Sequence, residues 1–122
     1  MLVFHSPDSL LHDPSGYFRR GRTVEHPEQA RRYTVLRDAA AAAGHALAAA
    51  PECGLAPIAA VHEAGYLELL STVWSRKDEL PEIGEEILTG HFARPQMQRR
   101  PTGLLGLLGT YMADTSTPVR AG

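Results

Sequence analysis

The chain has 122 residues, of which 43% are hydrophobic and 21% are charged, and this composition suits one modest globular domain and excludes a disordered or fibrous protein. The formal net charge of −2 provides no long-range attraction to nucleic acid or to an anionic membrane surface. No apolar run approaches the roughly 20 residues that a membrane-spanning helix needs. We therefore expect neither a nucleic-acid partner nor a membrane partner.

A single cysteine, Cys53, excludes an internal disulfide and is typical of a reducing, intracellular compartment. Its neighbours Glu52 and Gly54 supply no base that would activate a thiol, which indicates a packed or idle side chain and not a nucleophile. The opening MLVFHSPD contains too few apolar residues for the core of a signal peptide. The sequence predicts a cytoplasmic protein.

The first part of the chain contains one predicted strand, one loop and one helix. Residues 2–4 form a short β-type run, which predicts a buried first strand. Residues 6–25 are rich in Pro, Gly, Asp and Arg and indicate a long loop, and loops of that length are commonly functional. A helix is predicted from His26 and Pro27, because proline fits the first helical turn. Gly44 is a natural stop for it.

The middle of the chain predicts a second strand and two more helices. Residues 45–50 follow directly after the first helix and favour a short strand, although alanine is a poor strand former. Residues 55–61 and 65–76 have helical periodicity, and Trp74 on the longer helix is predicted to be part of the core. Residues 80–101 contain three prolines and two glycines and are predicted to form a second long loop.

The last segment has glycines at positions 103, 106 and 109, which share one helical face. Each glycine costs about 1 kcal/mol of helix stability relative to alanine, so the pattern favours a helix against which another backbone packs closely. A ligand that touches Gly106 or Gly109 is the alternative. The segment is not a phosphate-binding loop, because the GxGxxG spacing and a preceding strand are missing.

The six histidines do not form a recognisable metal-binding motif. Zinc sites often contain two ligands at HxH or HxxxH spacing, whereas no two histidines here are closer than seven residues; they are His5, His12, His26, His45, His62 and His91. The pairs His12–Asp13 and His62–Glu63 resemble a base with its orienting carboxylate, but adjacent side chains point in different directions on a helix. We predict no catalytic and no metal-ligating residue from local motifs.

Four segments in a fixed order are informative together: VFHSPDSLLHDP from Val3, GRTVEHPEQARR from Gly21, LAPIAAVHEAGYLELLSTVW from Leu55 and RRPTGLLGLLGTYMADTSTPV from Arg99. They resemble the opening of the zinc-dependent deacetylase superfamily, which contains histone deacetylases and acetylpolyamine amidohydrolases. The resemblance implies the N-terminal part of a three-layer α/β/α arginase-deacetylase-like fold with a mainly parallel sheet. Residues 1–122 would then form a single incomplete domain.

The resemblance also implies a function. The chain is expected to be the N-terminal segment of a zinc-dependent amidohydrolase that deacetylates acetylated polyamines or acetyl-lysine. In this superfamily an Asp-x-His motif and a second Asp hold the zinc, and two adjacent histidines and a tyrosine act on the amide. Neither a His-His pair nor an Asp-x-His motif occurs in the 122 residues. We therefore expect the chain alone to be inactive and to bind no zinc, which would be held by the rest of the full-length parent.

Two supporting residues follow from the same resemblance. Arg32 matches an arginine that lines an internal channel below the metal in histone deacetylases. His26 matches the same motif as a residue at the helix start. Arg37, on the same predicted helix, is expected to be exposed and uninvolved.

The resemblance implies that the loop at residues 80–101 corresponds to the insertion through which bacterial polyamine deacetylases form homodimers, so a homodimer through this loop is expected of the parent. Acidic residues that hold a cationic polyamine in such enzymes align with Leu105 and with a position near Ser116. Asp114 is the nearest carboxylate and is therefore the candidate substrate-side residue.

A non-catalytic protein-interaction module is the alternative function, with the glycine-striped helix and the proline-rich loop as its binding surface. Nucleic-acid binding through the arginine clusters at 19–22 and 99–100 is disfavoured, because acidic residues outnumber basic ones. Since parallel sheets are normally covered on both faces, the resemblance also predicts uncovered apolar surface, including an exposed helix from Gly103.

Overall fold

The computed structural model describes residues 1–81, 83–94, 96–97 and 99–121. These residues form two compact units, Met1–Gly54 and Leu55–Gly122. They are called the first and the second unit.

The first unit is built around a parallel strand pair with a helix between the strands. Its elements in chain order are β1 (Leu2–His5), a 3-10 helix (Pro7–Leu11), β2 (Tyr17–Arg19), β3 (Arg22–Val24), α1 (Arg31–Ala42) and β4 (Ala46–Ala49). Strands β1 and β4 pair in parallel, with Leu2 opposite Ala46 and Phe4 opposite Ala48. Both predicted strands are thus confirmed, and their parallel pairing is the expected α/β arrangement. The prediction that the first strand is buried is wrong, because Leu2 and Phe4 are 54% and 59% exposed.

The prediction of an irregular loop across residues 6–25 is wrong in part, because this stretch contains the 3-10 helix and the β2–β3 hairpin. The turn residues Arg20 and Gly21 both have positive φ, 50° and 81°, as in the tight turns that join antiparallel strands. The hairpin was missed because its strands are only three residues long and because arginine is an uncommon first residue in such a turn.

Helix α1 begins at Arg31 and not at His26, so the predicted helix start is wrong. The backbone N–H of Glu28 donates to Nδ1 of the buried His26 at 3.1 Å. The N–H of Ala30 donates to Oδ1 of Asp13 at 3.0 Å. These side chains bond backbone groups ahead of the helix and hold an irregular turn there. The predicted stop is confirmed by Gly44, whose φ is 76°.

The second unit is mainly helical. It contains α2 (Ala56–Ala59), α3 (Ala64–Thr72), a 3-10 helix (Lys77–Glu79) and α4 (Leu104–Tyr111). Helices α2 and α3 confirm both predicted helices, although each is shorter than predicted. Within the described part of residues 80–101, the regular pairing is a single antiparallel bridge from Ile87 to Val119, which agrees with a predicted loop.

The buried hydrophobic core lies in the second unit and consists of Leu69, Val73, Ile87, Leu104, Leu108 and Met112. Trp74 packs against this core, as predicted, and the ammonium of Lys77 lies 4.9 Å from the centre of its ring. Leu104 and Leu108 place α4 at the centre of the core, so the expectation of an exposed helix from Gly103 is wrong. Its apolar side packs against α3 within the same unit.

The glycine stripe of α4 permits the close backbone contact that its spacing predicted. A Cβ on Gly109 would lie 2.8 Å from the carbonyl oxygen of His91, and the Gly109 carbonyl accepts the N–H of Ala93 at 2.6 Å. A Cβ on Gly106 would lie 2.5 Å from Cβ of Pro101. Gly103 instead precedes the helix as its N-cap, with open space around it.

Among the residues that the structure describes, no helix combines the length and the apolar character needed to cross a membrane.

Candidate functional site

A cleft of about 550 Å³ lies in the first unit between β1 and α1, and it is called the β1–α1 cleft. Its apolar walls include Val3, Leu36 and Leu47. Its polar and aromatic side chains come from β1, from the 3-10 helix and the loops beside it, from the turn before α1 and from α1 itself; among them are Phe4, His5, His12, Glu28, Arg32, Tyr33 and Arg37. The cleft therefore collects groups that are far apart in the chain.

Glu28 connects two basic side chains in this cleft. Its Oε2 lies 2.9 Å from Nε2 of His12, and its Oε1 lies 3.6 Å from Nη1 of Arg32. The hydrogen bond with His12 is the largest cause that lowers the pKa of Glu28; desolvation opposes it, and the charges of His12 and Arg32 add to the lowering. All three side chains are about half exposed, at 54% to 56%. Glu28 thus remains an ionised acceptor in the cleft.

Tyr33 organises the opposite part of the cleft. Its hydroxyl forms a 2.9 Å hydrogen bond with Nδ1 of His5, and the guanidinium of Arg37 lies 5.5 Å from the centre of its ring. Arg37 also donates two hydrogen bonds to Asp38, at 2.9 and 2.7 Å, and Asp38 is the main cause that raises the pKa of Arg37. Arg37 is only 38% exposed and lines the cleft, so the expectation of an exposed residue is wrong, whereas its lack of a functional role stays a prediction.

His26 lies beside the cleft and does not line it. Its ring is buried, packs edge-to-face on Tyr17 with centroids 5.2 Å apart, and accepts the backbone N–H of Glu28. It therefore fixes the backbone that carries Glu28. The sequence associated His26 with the start of a helix; the structure makes it a buried anchor for the turn before α1.

Asp114, the candidate substrate-side residue, belongs to the second unit. Its carboxylate accepts the N–H of Ser116 at 2.7 Å, the Ser116 hydroxyl at 3.0 Å and the Thr117 hydroxyl at 3.1 Å. These bonds lower the pKa of Asp114, with the Ser116 N–H as the largest cause. Asp114 is therefore an ionised residue that organises its own turn, and a role toward substrate remains a prediction.

A second cleft, of about 610 Å³, lies in the second unit and is bordered by Leu105, Phe92, Met97 and Arg99. Leu105 is the residue that aligns with an acidic position of polyamine deacetylases, and it is 49% exposed. An apolar side chain thus stands at the wall of a cleft.

The described residues do not fit a zinc site. Among them, no group of three or more His, Cys, Asp or Glu side chains is placed to hold a metal ion. The two histidines of the β1–α1 cleft bond to different partners, His5 to Tyr33 and His12 to Glu28. Cys53 is exposed and not packed.

Sequence reasoning placed Arg32 at a functional position but missed the side chains that the structure brings next to it. His12 and Glu28 are 16 residues apart and His5 and Tyr33 are 28 apart, so no local spacing connects them. His12 was considered only with Asp13, whereas its partner in the structure is Glu28.

Comparison with known proteins gives consistent relatives along the whole chain, although no family model matches it. An acetylpolyamine amidohydrolase of Burkholderia pseudomallei is 38% identical over 120 residues, which cover 98% of this chain and 35% of that protein. Acetylpolyamine amidohydrolase 1 of Pseudomonas aeruginosa is 30% identical over 128 residues, covering 100% of this chain and 36% of that protein. The chain spans about a third of the length of these curated relatives.

The backbone agrees with this similarity. The crystal structure of the acetylpolyamine aminohydrolase from Burkholderia pseudomallei matches 99% of this chain, and 35% of its own, with a TM-score of 0.87 and 38% identity. The parallel β1–β4 pair and this match define the chain as part of a mixed α/β, arginase-deacetylase-like fold. Over its whole length the chain matches an N-terminal portion of the acetylpolyamine amidohydrolase family.

Proposed function

We propose that this chain is the N-terminal segment of a zinc-dependent amidohydrolase that deacetylates acetylated polyamines or acetyl-lysine. The supporting observation is the similarity to acetylpolyamine amidohydrolases, which extends over 98% of the chain in sequence and 99% in structure. A likeness that covers both units is stronger support than one short motif. We also propose a cytoplasmic location, since a lone cysteine suits a reducing compartment.

By itself the segment is proposed to be inactive. Hydrolysis of an amide by a metal-bound water needs metal ligands and a general base within hydrogen-bonding distance of the reacting atoms. The described residues contain no cluster that could hold the metal. The zinc of the full-length parent is therefore assigned to residues outside this chain.

The contribution of this segment is proposed to be support of the site. Arg32 extends into the β1–α1 cleft and is held there by Glu28. His26 fixes the backbone of Glu28. Arg32 and His26 thus both contact Glu28, one through its side chain and the other through its backbone. In the parent this part of the cleft is proposed to line the channel below the metal.

In the second unit, Asp114 is proposed to face the acetylated amine, because the aligned position Leu105 is apolar and Asp114 remains ionised. Residues 80–101 are proposed to mediate a homodimer of the parent, as the corresponding insertion does in the family.

A chimera tests the function directly. In it, residues 1–122 replace the matching third of the Burkholderia pseudomallei enzyme, and hydrolysis of N-acetylputrescine and of an acetyl-lysine peptide is measured. We expect zinc-dependent hydrolysis by the chimera and none by the isolated chain. A folded chimera without activity on either probe contradicts the proposal, as does stoichiometric zinc that stays on the isolated chain through dialysis against a mild chelator.

A further inference from the structure

The second cleft lies entirely in the second unit, and its volume of about 610 Å³ and its lining suit a small molecule. Apolar side chains form much of its wall and include Phe92, Met97, Pro101 and Leu105. Phe92, Met97 and Leu105 are 44%, 66% and 49% exposed, so they present apolar surface that is not covered by the second unit itself. Binding of a chain of methylene groups against them would be favoured by burial of apolar area.

Close contacts hold the walls of the second cleft in place. Helix α4 contributes Gly106 and Gly109 to the lining, and His91 and Pro101 line the cleft as well. A Cβ on Gly109 would lie 2.8 Å from the carbonyl oxygen of His91, and a Cβ on Gly106 would lie 2.5 Å from Cβ of Pro101. The segment before α4 is therefore fixed against the helix at two points of the wall. The cleft is formed in the chain without a ligand, as small-molecule sites usually are.

The charged side chains that line the second cleft favour an anion over a cation. They are two arginines, Arg99 and Arg100, and one carboxylate, Glu63. An oxygen of Glu63 accepts the Tyr111 hydroxyl at 3.3 Å, and Arg100 lies 3.6 Å from Glu68. Arg99 forms no ion pair with any residue that the structure describes. Its guanidinium is therefore the positive charge that the cleft offers to a ligand.

We infer that the second cleft selects between the two substrate classes. It binds the far end of an acetylated amine when that end is apolar and carries a carboxylate, as in a C-terminal acetyl-lysine, and it disfavours the ammonium of an acetylpolyamine. Leu105 provides no charge for a cation, whereas Arg99 is suited to a carboxylate because a guanidinium donates paired hydrogen bonds. That the occupant is a substrate rests on the proposed function.

Asp114 does not offset the arginine charge of the second cleft. Of the described residues that line the cleft, Asp114 is not one. Its carboxylate already accepts hydrogen bonds from Ser116 and Thr117. The selection is therefore assigned to the lining residues Leu105 and Arg99.

Three matched probes test this selection in the chimera of residues 1–122 with the rest of the Burkholderia pseudomallei enzyme. N-acetylputrescine, N-acetylpentylamine and 5-acetamidopentanoate share a chain of four methylene groups and end in an ammonium, a methyl and a carboxylate group. We expect kcat/KM to be highest for the carboxylate probe and lowest for the ammonium probe, with a ratio of about tenfold or more between them.

Exposed residues of the second unit provide matched variants. Leu105→Glu should shift the ratio toward N-acetylputrescine by about tenfold, whereas Leu70→Glu, at a leucine that is 41% exposed and outside the cleft, should leave it within about twofold. Arg99→Ala should lower the preference for the carboxylate probe over the methyl probe by about fivefold. Arg94→Ala, at an exposed arginine outside the cleft, should leave this preference within about twofold.

Binding to the isolated chain separates this inference from the proposed function. In NMR titrations of residues 1–122 that follow the amides of Leu105 and Gly106, 5-acetamidopentanoate should bind with a lower Kd than N-acetylputrescine, and Arg99→Ala should remove the difference. A chimera inactive on every probe counts against the proposed function, and these titrations then decide the role of the cleft. Tighter binding of N-acetylputrescine overturns the inference. So does an active chimera that prefers N-acetylputrescine, and loss of that preference in Asp114→Asn would assign the selection to Asp114.

Discussion

Arg32 is the residue for which the family resemblance predicts a position in an internal channel. It extends into the β1–α1 cleft and pairs with Glu28 at 3.6 Å. In the chimera, Arg32→Ala removes the cation of this half-exposed ion pair and the guanidinium proposed to donate a hydrogen bond in the channel, and hydrogen bonds from charged groups are worth about 1.5–3 kcal/mol. We expect kcat/KM for N-acetylputrescine to fall by roughly tenfold or more.

The matched control for Arg32 is Arg31, its neighbour on α1, which is exposed and does not line the cleft. Arg37 is unsuitable because it lines the same cleft. Arg31→Ala should leave kcat/KM within about twofold, as exposed substitutions usually have small effects. Equal activity of the Arg32 and Arg31 variants would reject the channel role of Arg32.

The stability of the folded chain should fall at acidic pH because of Glu28. Its pKa is lowered in the folded protein, chiefly by the hydrogen bond with His12. The stability that this interaction adds is therefore present above the ordinary carboxyl pKa and is lost as the pH falls through the lowered pKa. We expect His12→Ala to raise the pKa of Glu28 toward its ordinary value in an NMR titration.

Arg32→Ala provides the comparison in the same titration. Arg32 is farther from Glu28 than His12 is, 3.6 Å against 2.9 Å, and contributes less to the lowered pKa. Its removal should therefore raise the pKa of Glu28 by less. A larger change with Arg32→Ala than with His12→Ala would show that charge and not the hydrogen bond dominates.

At the scale of elements, α4 depends on glycine where another backbone approaches it. A methyl group on Gly109 would lie 2.8 Å from the carbonyl oxygen of His91, and a backbone atom cannot move aside as a flexible side chain can. We expect Gly109→Ala to destabilise the chain by about 1–3 kcal/mol, the usual range for overpacking, even though alanine favours helix formation. Urea unfolding followed by circular dichroism measures the change.

Gly103 is the control from the same stripe, because open space surrounds it at the N-cap of α4. Gly103→Ala should destabilise the chain by less than about 1 kcal/mol, the small cost of alanine in place of glycine at an N-cap. If Gly109→Ala were as mild, the close contact with His91 would not be a constraint on the helix.

For the whole molecule, the two units should differ in stability when the chain is isolated. The first unit has no buried hydrophobic cluster, whereas the second unit contains all six members of the core. Local stability follows buried apolar contacts, so amides of β4 and α1 should exchange with solvent faster than those of α3 and α4. Hydrogen exchange read by mass spectrometry measures this, and the exposed apolar side chains should also bind a hydrophobic dye.

Equal protection in both units, with no dye binding, would contradict this picture. It would instead favour a self-standing module, since a module must cover its own apolar surface. Protection of the first unit that appears only in the chimera would agree with an N-terminal segment covered by the rest of an amidohydrolase.

Hydrophobic periodicity and turn residues were sufficient to predict most helices and strands from the sequence, because these signals act over a few neighbouring residues. Three such predictions are confirmed: the strand β1 from its apolar run, the helix stop at Gly44, and the close backbone contact from the spacing of the α4 glycines. The four ordered motifs likewise indicated an N-terminal portion of the family, and the relatives that match the chain agree. The predicted ends of the helices were less accurate. The start of α1, for example, depends on hydrogen bonds from the preceding turn to the side chains of Asp13 and His26.

Only the tertiary structure decided which side chains share the β1–α1 cleft and which apolar surface is covered. The pairs His12–Glu28 and His5–Tyr33 connect residues far apart in the chain, and no periodicity or spacing encodes them. The placement of the core in the second unit, with Leu104 and Leu108 of α4 buried and Leu2 and Phe4 of β1 exposed, was likewise decided by packing. Burial of an apolar side chain is favourable wherever it occurs, but the tertiary fold determines which other residues bury it.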